Sequence, residues 1–199
     1  MILVFAVIIG VGVALLRGGA LGRLAHLQLR LGWLALLALL VQMYVIYYPA
    51  ERVQMERSLH AALMMGSYVV LTVVVLVNGR IPAMPIIGLG LILNLLVMGS
   101  NGGFMPVSRE AILTTGTRTV DQLPADGERL PRSKDVLLPA DQTRLWILSD
   151  IITAPDSVPL ARVYSIGDLV VAAGTFLLLQ AAMVPPKKRR YLGEEIGVA

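Results

Sequence analysis

The chain has 199 residues, 56% hydrophobic and only 15% charged, with a formal net charge of +4. Soluble domains average about 45–50% apolar and about 25% charged, so both deviations point to a membrane protein. There is no cysteine, which excludes disulfides, thiolate nucleophiles and cysteine-held metals. The mean hydropathy is +0.75 and the pI near 9.7. The basic residues sit in short clusters beside apolar segments, so membrane topology explains the charge better than nucleic acid does.

Met1–Leu16 is apolar throughout and ends at Arg17-Gly18-Gly19. It has no basic leader region and no small-x-small cleavage site, and so reads as a retained helix. Its 1.5 Å rise per residue gives roughly 24 Å, short for a bilayer core of about 30 Å. Gly18–Arg30 sets Arg23, His26 and Arg30 among leucines. It reads either as an interfacial helix or as a basic connector.

Leu31–Tyr48 is the second predicted span, with Trp33 at one end and Tyr44, Tyr47 and Tyr48 at the other. That is the distribution of an aromatic belt. Pro49 ends it, and Ala50–Ser58 is a connector whose charges cancel. Leu59–Val77 is the third span, closed by the turn dipeptide Asn78-Gly79. A tight helical hairpin into the fourth span, Ile81–Met98, is expected. Pro82 is placed in its first turn and Pro85 at a kinked entry. Asn94 lies within that span and is expected to face protein or a cavity.

Ser100–Ser165 is different in kind, with six prolines and mixed charges. It is too long for a structureless connector. An ordered cap is expected, with short elements at Ser108–Leu113 and Thr143–Leu148 and a looser middle at Thr114–Arg132. Ile166–Val184 is the fifth span, and Pro185-Pro186 precedes the basic run Lys187–Arg190. Ser165 and Asp168 are expected to form a capping box at its start.

The expected fold is thus all-α: a four-helix transmembrane region (1–99), a cap (100–165), a fifth helix (166–184) and a basic tail (185–199). Eight basic residues fall in the connector at 17–30, at Arg80 and in the tail, against Arg52 and Arg57 in the connector between spans two and three. The positive-inside rule then puts the N-terminus and cap outside and the C-terminus in the cytoplasm of a multi-pass cell-membrane protein. The expected partners are the lipid bilayer and a membrane-protein assembly, with no nucleic acid, no cofactor and no metal. His26 and His60 read as structural residues.

The candidate chemistry rests on acids. Asp150 and Asp168 both belong at the outer surface. Two carboxylates at short range share a proton and can activate water. Asn101, in Asn101-Gly102-Gly103-Phe104, could orient a carboxylate or a carbonyl. The plainer alternatives are a helix cap for Asp168, a turn for Asp150, a helix C-terminus for Asn101, and a solvated loop for Ser133-Lys134-Asp135.

Leu93–Ser108, Ser133-Lys134-Asp135, Leu148–Ile151 and Tyr164–Leu169 together resemble the signature of an uncharacterised bacterial membrane-protein family, a domain of unknown function. The resemblance covers most of the chain and implies a polytopic membrane protein without an assigned activity. A second similarity is to lipoprotein signal peptidase, a membrane aspartyl protease, in which Asp150 and Asp168 look like the two catalytic acids. Here Ser165-Ile166-Gly167-Asp168 stands where that family has Asn-x-Ala-Asp, and its Gly-Asn-x-x-Asp-Arg motif is missing. Three functions follow as expectations: an accessory or scaffolding component acting through the cap, an aspartyl hydrolase using Asp150, Asp168 and Asn101, and a small-molecule transporter. A transporter would draw on Asn94, Gln42, Ser67, Thr72 and Thr175 as its mid-membrane polar groups.

Overall fold

A computed structural model describes residues 2–47, 56–157 and 162–185. The basic tail beyond Pro185 and the connector from 48 to 55 lie outside the described residues. Five long helices appear where the apolar runs predict them: α1 (Ile2–Leu16), α2 (Gly32–Tyr47), α3 (Arg57–Val77), α4 (Met84–Ser100) and, after a short α5 (Arg109–Thr114), α6 (Ile166–Met183). Two of them, α3 and α6, are long and apolar enough to cross a membrane, whereas α1, α2 and α4 are apolar but shorter.

Turn chemistry sets the helix ends. Beyond α1, Gly18 takes a left-handed φ of +78° and the Gly19 amide donates to the Ala14 carbonyl at 2.8 Å, closing the C-terminus. Asn78 caps α3 and also clamps the entry to α2. Its amide nitrogen donates to the carbonyls of Val74 (2.7 Å) and Arg30 (2.8 Å), and its oxygen accepts from the Arg30 amide (2.9 Å). The fourth helix starts later than expected, because Ala83 is left-handed. Pro82 therefore precedes the helix, and Pro85 occupies its first turn without interrupting a helical bond.

α2 packs on α3, α3 on α4, α4 on α6, and α6 on α1. The helices thus form an arc whose two ends are α1 and α2, neighbours in sequence that make little contact with each other. One end of the bundle carries the cap. The other carries Arg17, which donates to Gln180 at 2.9 Å, and the Arg30–Asn78 clamp. α4 and α6 cross closely. A Cβ at Gly90 would meet the Gly167 carbonyl at 2.7 Å, and one at Gly174 would meet Ile87 at 2.7 Å. Small residues let these backbones approach.

The all-α expectation is corrected in the cap, which contains four short strands. β1 (Met105–Val107) pairs in parallel with β2 (Asp135–Leu137), and β3 (Ile152–Ala154) pairs antiparallel with β4 (Arg162–Tyr164). Parallel pairing needs a crossover, here the whole of residues 108–134, which no local pattern announces. The segment Thr114–Arg132, expected to be loose, is pinned to β2. The Gly127 amide donates to the Leu137 carbonyl, the Leu130 amide to the Asp135 carbonyl, and Leu130 is buried with Val107, Ile112 and Leu137. Arg129 ties this layer to the helices by donating to the carbonyls of Val45 (3.1 Å) and Ser133 (2.8 Å), over the Phe104 ring.

Candidate functional site

Gly102 and Gly103, both left-handed, turn the chain out of α4 and into β1. There is no room for a side chain at Gly103, where a Cβ would sit 2.7 Å from Ala61. β1 is fully buried and has a neighbour on each side. On one side the Met105 amide bonds the Lys134 carbonyl at 3.1 Å. On the other, the Pro106 carbonyl accepts from the Asp150 amide at 3.0 Å. Pro106 has no amide to leave orphaned, so it suits that position. The strand therefore brings Lys134, Asp135 and Asp150 together above the helix bundle, although residues 134 and 150 are far apart in sequence.

α6 delivers the fourth member. Ser165 caps the helix by accepting from the Asp168 amide at 3.0 Å, as expected. The Asp168 carboxylate then takes Lys134 as its main partner, with Nζ 3.0 Å from Oδ1 and 2.8 Å from Oδ2. Asn94 completes the shell, donating to Asp168 Oδ1 at 2.8 Å and accepting from Ser165 Oγ at 2.9 Å. Asn94 is buried and faces protein, as its place in an apolar helix requires. Gly167 makes this reach possible, since a Cβ there would overlap the Asn94 amide oxygen.

Lys134 Nζ also lies 4.0 Å from Asp150 Oδ1, too far for a hydrogen bond. The two legs through the ammonium, 4.0 and 2.8 Å, keep Asp150 Oδ1 and Asp168 Oδ2 within about 7 Å of each other. Asp150 is 1% exposed. Burial pushes its carboxyl well above the usual carboxylate range, against the opposing pull of Lys134. Burial also raises Asp135, again against Lys134 and against the hydroxyl of Ser133, which donates to its Oδ2. For Lys134, burial pulls the ammonium down, but Asp150 and Asp168 outweigh it and hold it well above the ordinary lysine range.

These groups form the polar end of a cavity of about 650 Å³. Its apolar walls include Leu39 on α2, Leu71 and Val75 on α3, Ile87 and Leu91 on α4 and Val171 on α6. Ile87 lies seven residues before Asn94, and Thr175 seven beyond Asp168, so the cavity runs about 10 Å down the bundle. Ile2 and Leu3 of α1 line it as well, so both ends of the helical arc contribute. Gln42 on α2 also lines it, and its Nε2 is a buried donor with no partner among the described residues.

Residues 26–180 match a family of unknown function, DUF5317. The chain belongs to that family. No curated protein and no solved structure matches it.

The DUF5317 match spans all four members of the cluster. Of the sequence-predicted site residues, Asp150 and Asp168 meet at Lys134. Asn101 does not line the cavity. Its side chain donates to the carbonyls of Val97 (2.7 Å) and Arg144 (2.8 Å) and accepts from the Arg144 amide (2.9 Å), fastening the cap to the end of α4. The Ser133–Asp135 segment, read as a solvated loop, is corrected: the Lys134 side chain is only 17% exposed. One signal in the sequence did mark it. Lys134 is the single lysine ahead of position 187, all other basic residues before it being arginine or histidine. His60 is buried beside the Glu56 carbonyl, and His26 is exposed in a 3₁₀ turn, Leu21–His26. Among the described residues no cluster of histidine and carboxylate suited to a metal is present.

Proposed function

We propose that the protein is a multi-pass cell-membrane protein whose interhelical cavity takes up a membrane amphiphile, its tail between the helices and its polar head at the Lys134 cluster. The observation that carries this is a single cavity joining apolar walls on the helices to a buried charged cluster under the cap. Ligand pockets are mostly apolar with a few convergent polar groups, and this one has that make-up. The loose contact between α1 and α2 offers a side entrance from the bilayer. Gln42 Nε2, without a partner among the described residues, offers a donor to an acceptor on the ligand.

Five spans would put the cap outside and the end carrying Arg17, Arg30 and Arg80 in the cytoplasm, as the positive-inside rule prefers. The helices of 15, 16 and 17 residues reach roughly 22–26 Å, which a locally thinned bilayer accommodates.

Two other readings keep some support. An accessory role through the cap is favoured by its exposed Leu145, Trp146 and Ile147, which fit a membrane partner or the bilayer interface equally well. An aspartyl hydrolase using Asp150 and Asp168 is favoured by their separation, but Lys134 stands between them and engages both oxygens of Asp168. For a transporter, Ser67, Thr72 and Thr175 spend their hydroxyls on their own helices' carbonyls, leaving Asn94 and Gln42.

The test is lipid analysis of the full chain purified in mild detergent, beside a Leu39→Trp variant that fills the cavity from the α2 side. The wild type should retain a defined amphiphile that the variant loses at unchanged helix content. Equal, nonspecific lipid in both would overturn the reading.

A further inference from the structure

Two buried oxygen atoms of cavity-lining acids have no hydrogen-bond donor among the described residues: Asp135 Oδ1 and Asp150 Oδ1. Both residues line the cavity at its polar end. Three nearby donors are engaged elsewhere. Lys134 directs its ammonium to the two oxygens of Asp168 and stays 4.0 Å from Asp150. Ser133 gives its hydroxyl proton to the other oxygen of Asp135. The Asp150 amide is spent on the Pro106 carbonyl. The two acids approach each other, and the Asp135 side chain lies within hydrogen-bonding reach of Asp150. A carboxylate has only lone pairs to offer, so two carboxyl groups bond each other only when one carries a proton. One proton held between the two groups makes such a bond possible.

We propose that Asp135 and Asp150 share a single proton, forming an acid–base pair in the cavity wall that exchanges this proton with the polar head of the occupant. The pair is separate from the Lys134–Asp168 ion pair. The exchange with a ligand rests on the amphiphile reading, whereas the shared proton does not. The step is a simple transfer: the O–H bond of the pair breaks, the proton joins a basic atom of the head group, and a doubly ionised pair is left. Lys134 is the cation at hand to stabilise that state.

The other groups around the pair fit this division. Asp168, on α6, is ion-paired with Lys134 and remains an anion, whose charge discourages full ionisation of the acid pair. Arg162, on β4, favours the ionised form of Asp135 from the cavity's rim. Tyr68, on α3, adds a buried hydroxyl to the same cavity. Burial is the largest influence on both acids and favours the neutral form of each.

Infrared spectroscopy of the full chain at neutral pH, with and without ¹³C-aspartate, tests the pair directly. A protonated-carboxyl C=O band that shifts with the label is expected in the wild type. It should shift in frequency or vanish in Asp135→Asn and in Asp150→Asn and persist unshifted in Asp141→Asn, a change at an exposed cap residue. Absence of an aspartic acid band from the wild type, or its survival unshifted in both variants, overturns the proposal. Absence of the band from the wild-type spectrum overturns the proposal even where a variant fails to fold. A band without a co-purifying amphiphile keeps the acid pair and removes the amphiphile reading. An amphiphile without a band does the reverse.

Discussion

Replacing Lys134 with methionine is the sharpest single perturbation of the cluster. The lysine and Asp168 side chains are 17% and 18% exposed, so the pair is mostly withdrawn from water. Removing one partner of a buried pair leaves the other charge uncompensated, at a cost of about 3–5 kcal/mol. Asp168 would keep its bond from Asn94 and its place in the first turn of α6, where the helix dipole favours an anion. The lower limit, about 3 kcal/mol, is therefore expected. In a chain of this size that corresponds to a fall in Tm of about 6–12 °C. The assay is thermal unfolding of Lys134→Met, Asp168→Asn and the double variant in one detergent, followed by circular dichroism. The double variant should recover a large part of the loss, because the uncompensated carboxylate is gone. A Lys134→Met loss below about 1 kcal/mol, or strict additivity in the double variant, would refute a buried, mutually dependent pair.

Three further outcomes follow from the same geometry. Gly167→Ala should separate α4 from α6 and lower stability by about 1–3 kcal/mol through overpacking, while Gly12→Ala, with open space around it, should be neutral in the same melts. Arg129→Met removes the charged donor to Val45 and Ser133 and should cost about 2 kcal/mol. It should also speed proteolytic cleavage within the cap, and an unchanged cleavage rate would mean that Arg129 does not hold the cap down. The raised Asp150 carboxyl sets a pH dependence: the folded state binds its proton more tightly than the unfolded chain, whose value is about 3.9. This stabilising contribution is full below that value and is lost as pH rises through the raised folded value. Plots of Tm against pH should therefore show a descending component in the wild type that Asp150→Asn lacks.

Much of the bundle was legible in the sequence because its determinants are local. Apolar runs give the helices, Asn78-Gly79 turns α3 into α4, and Ser165 starts α6. In each case the deciding contacts lie within a few residues. The capping reading of Asp168 was right about the amide and incomplete about the carboxylate. The helix start depends on Ser165, whereas the carboxylate answers to Lys134, 34 residues away, and to Asn94, 74 residues away. Asn101 closes α4, as its plainer reading expected, and its bonds to Arg144 add a tether to the cap that no local pattern shows.

The sequence by itself determined a chain of apolar helices with basic residues gathered near one set of their ends. Helix formation and charge placement are read from spacing and composition alone. The tertiary structure decided which acids meet. β1 pairs with β2 on one edge and with Asp150 on the other, and that long-range pairing turned a polar loop into the buried end of a cavity. Asp135 and Lys134 acquired their chemistry there, because burial and neighbouring charge, the two influences that move a proton, exist only once the chain has folded.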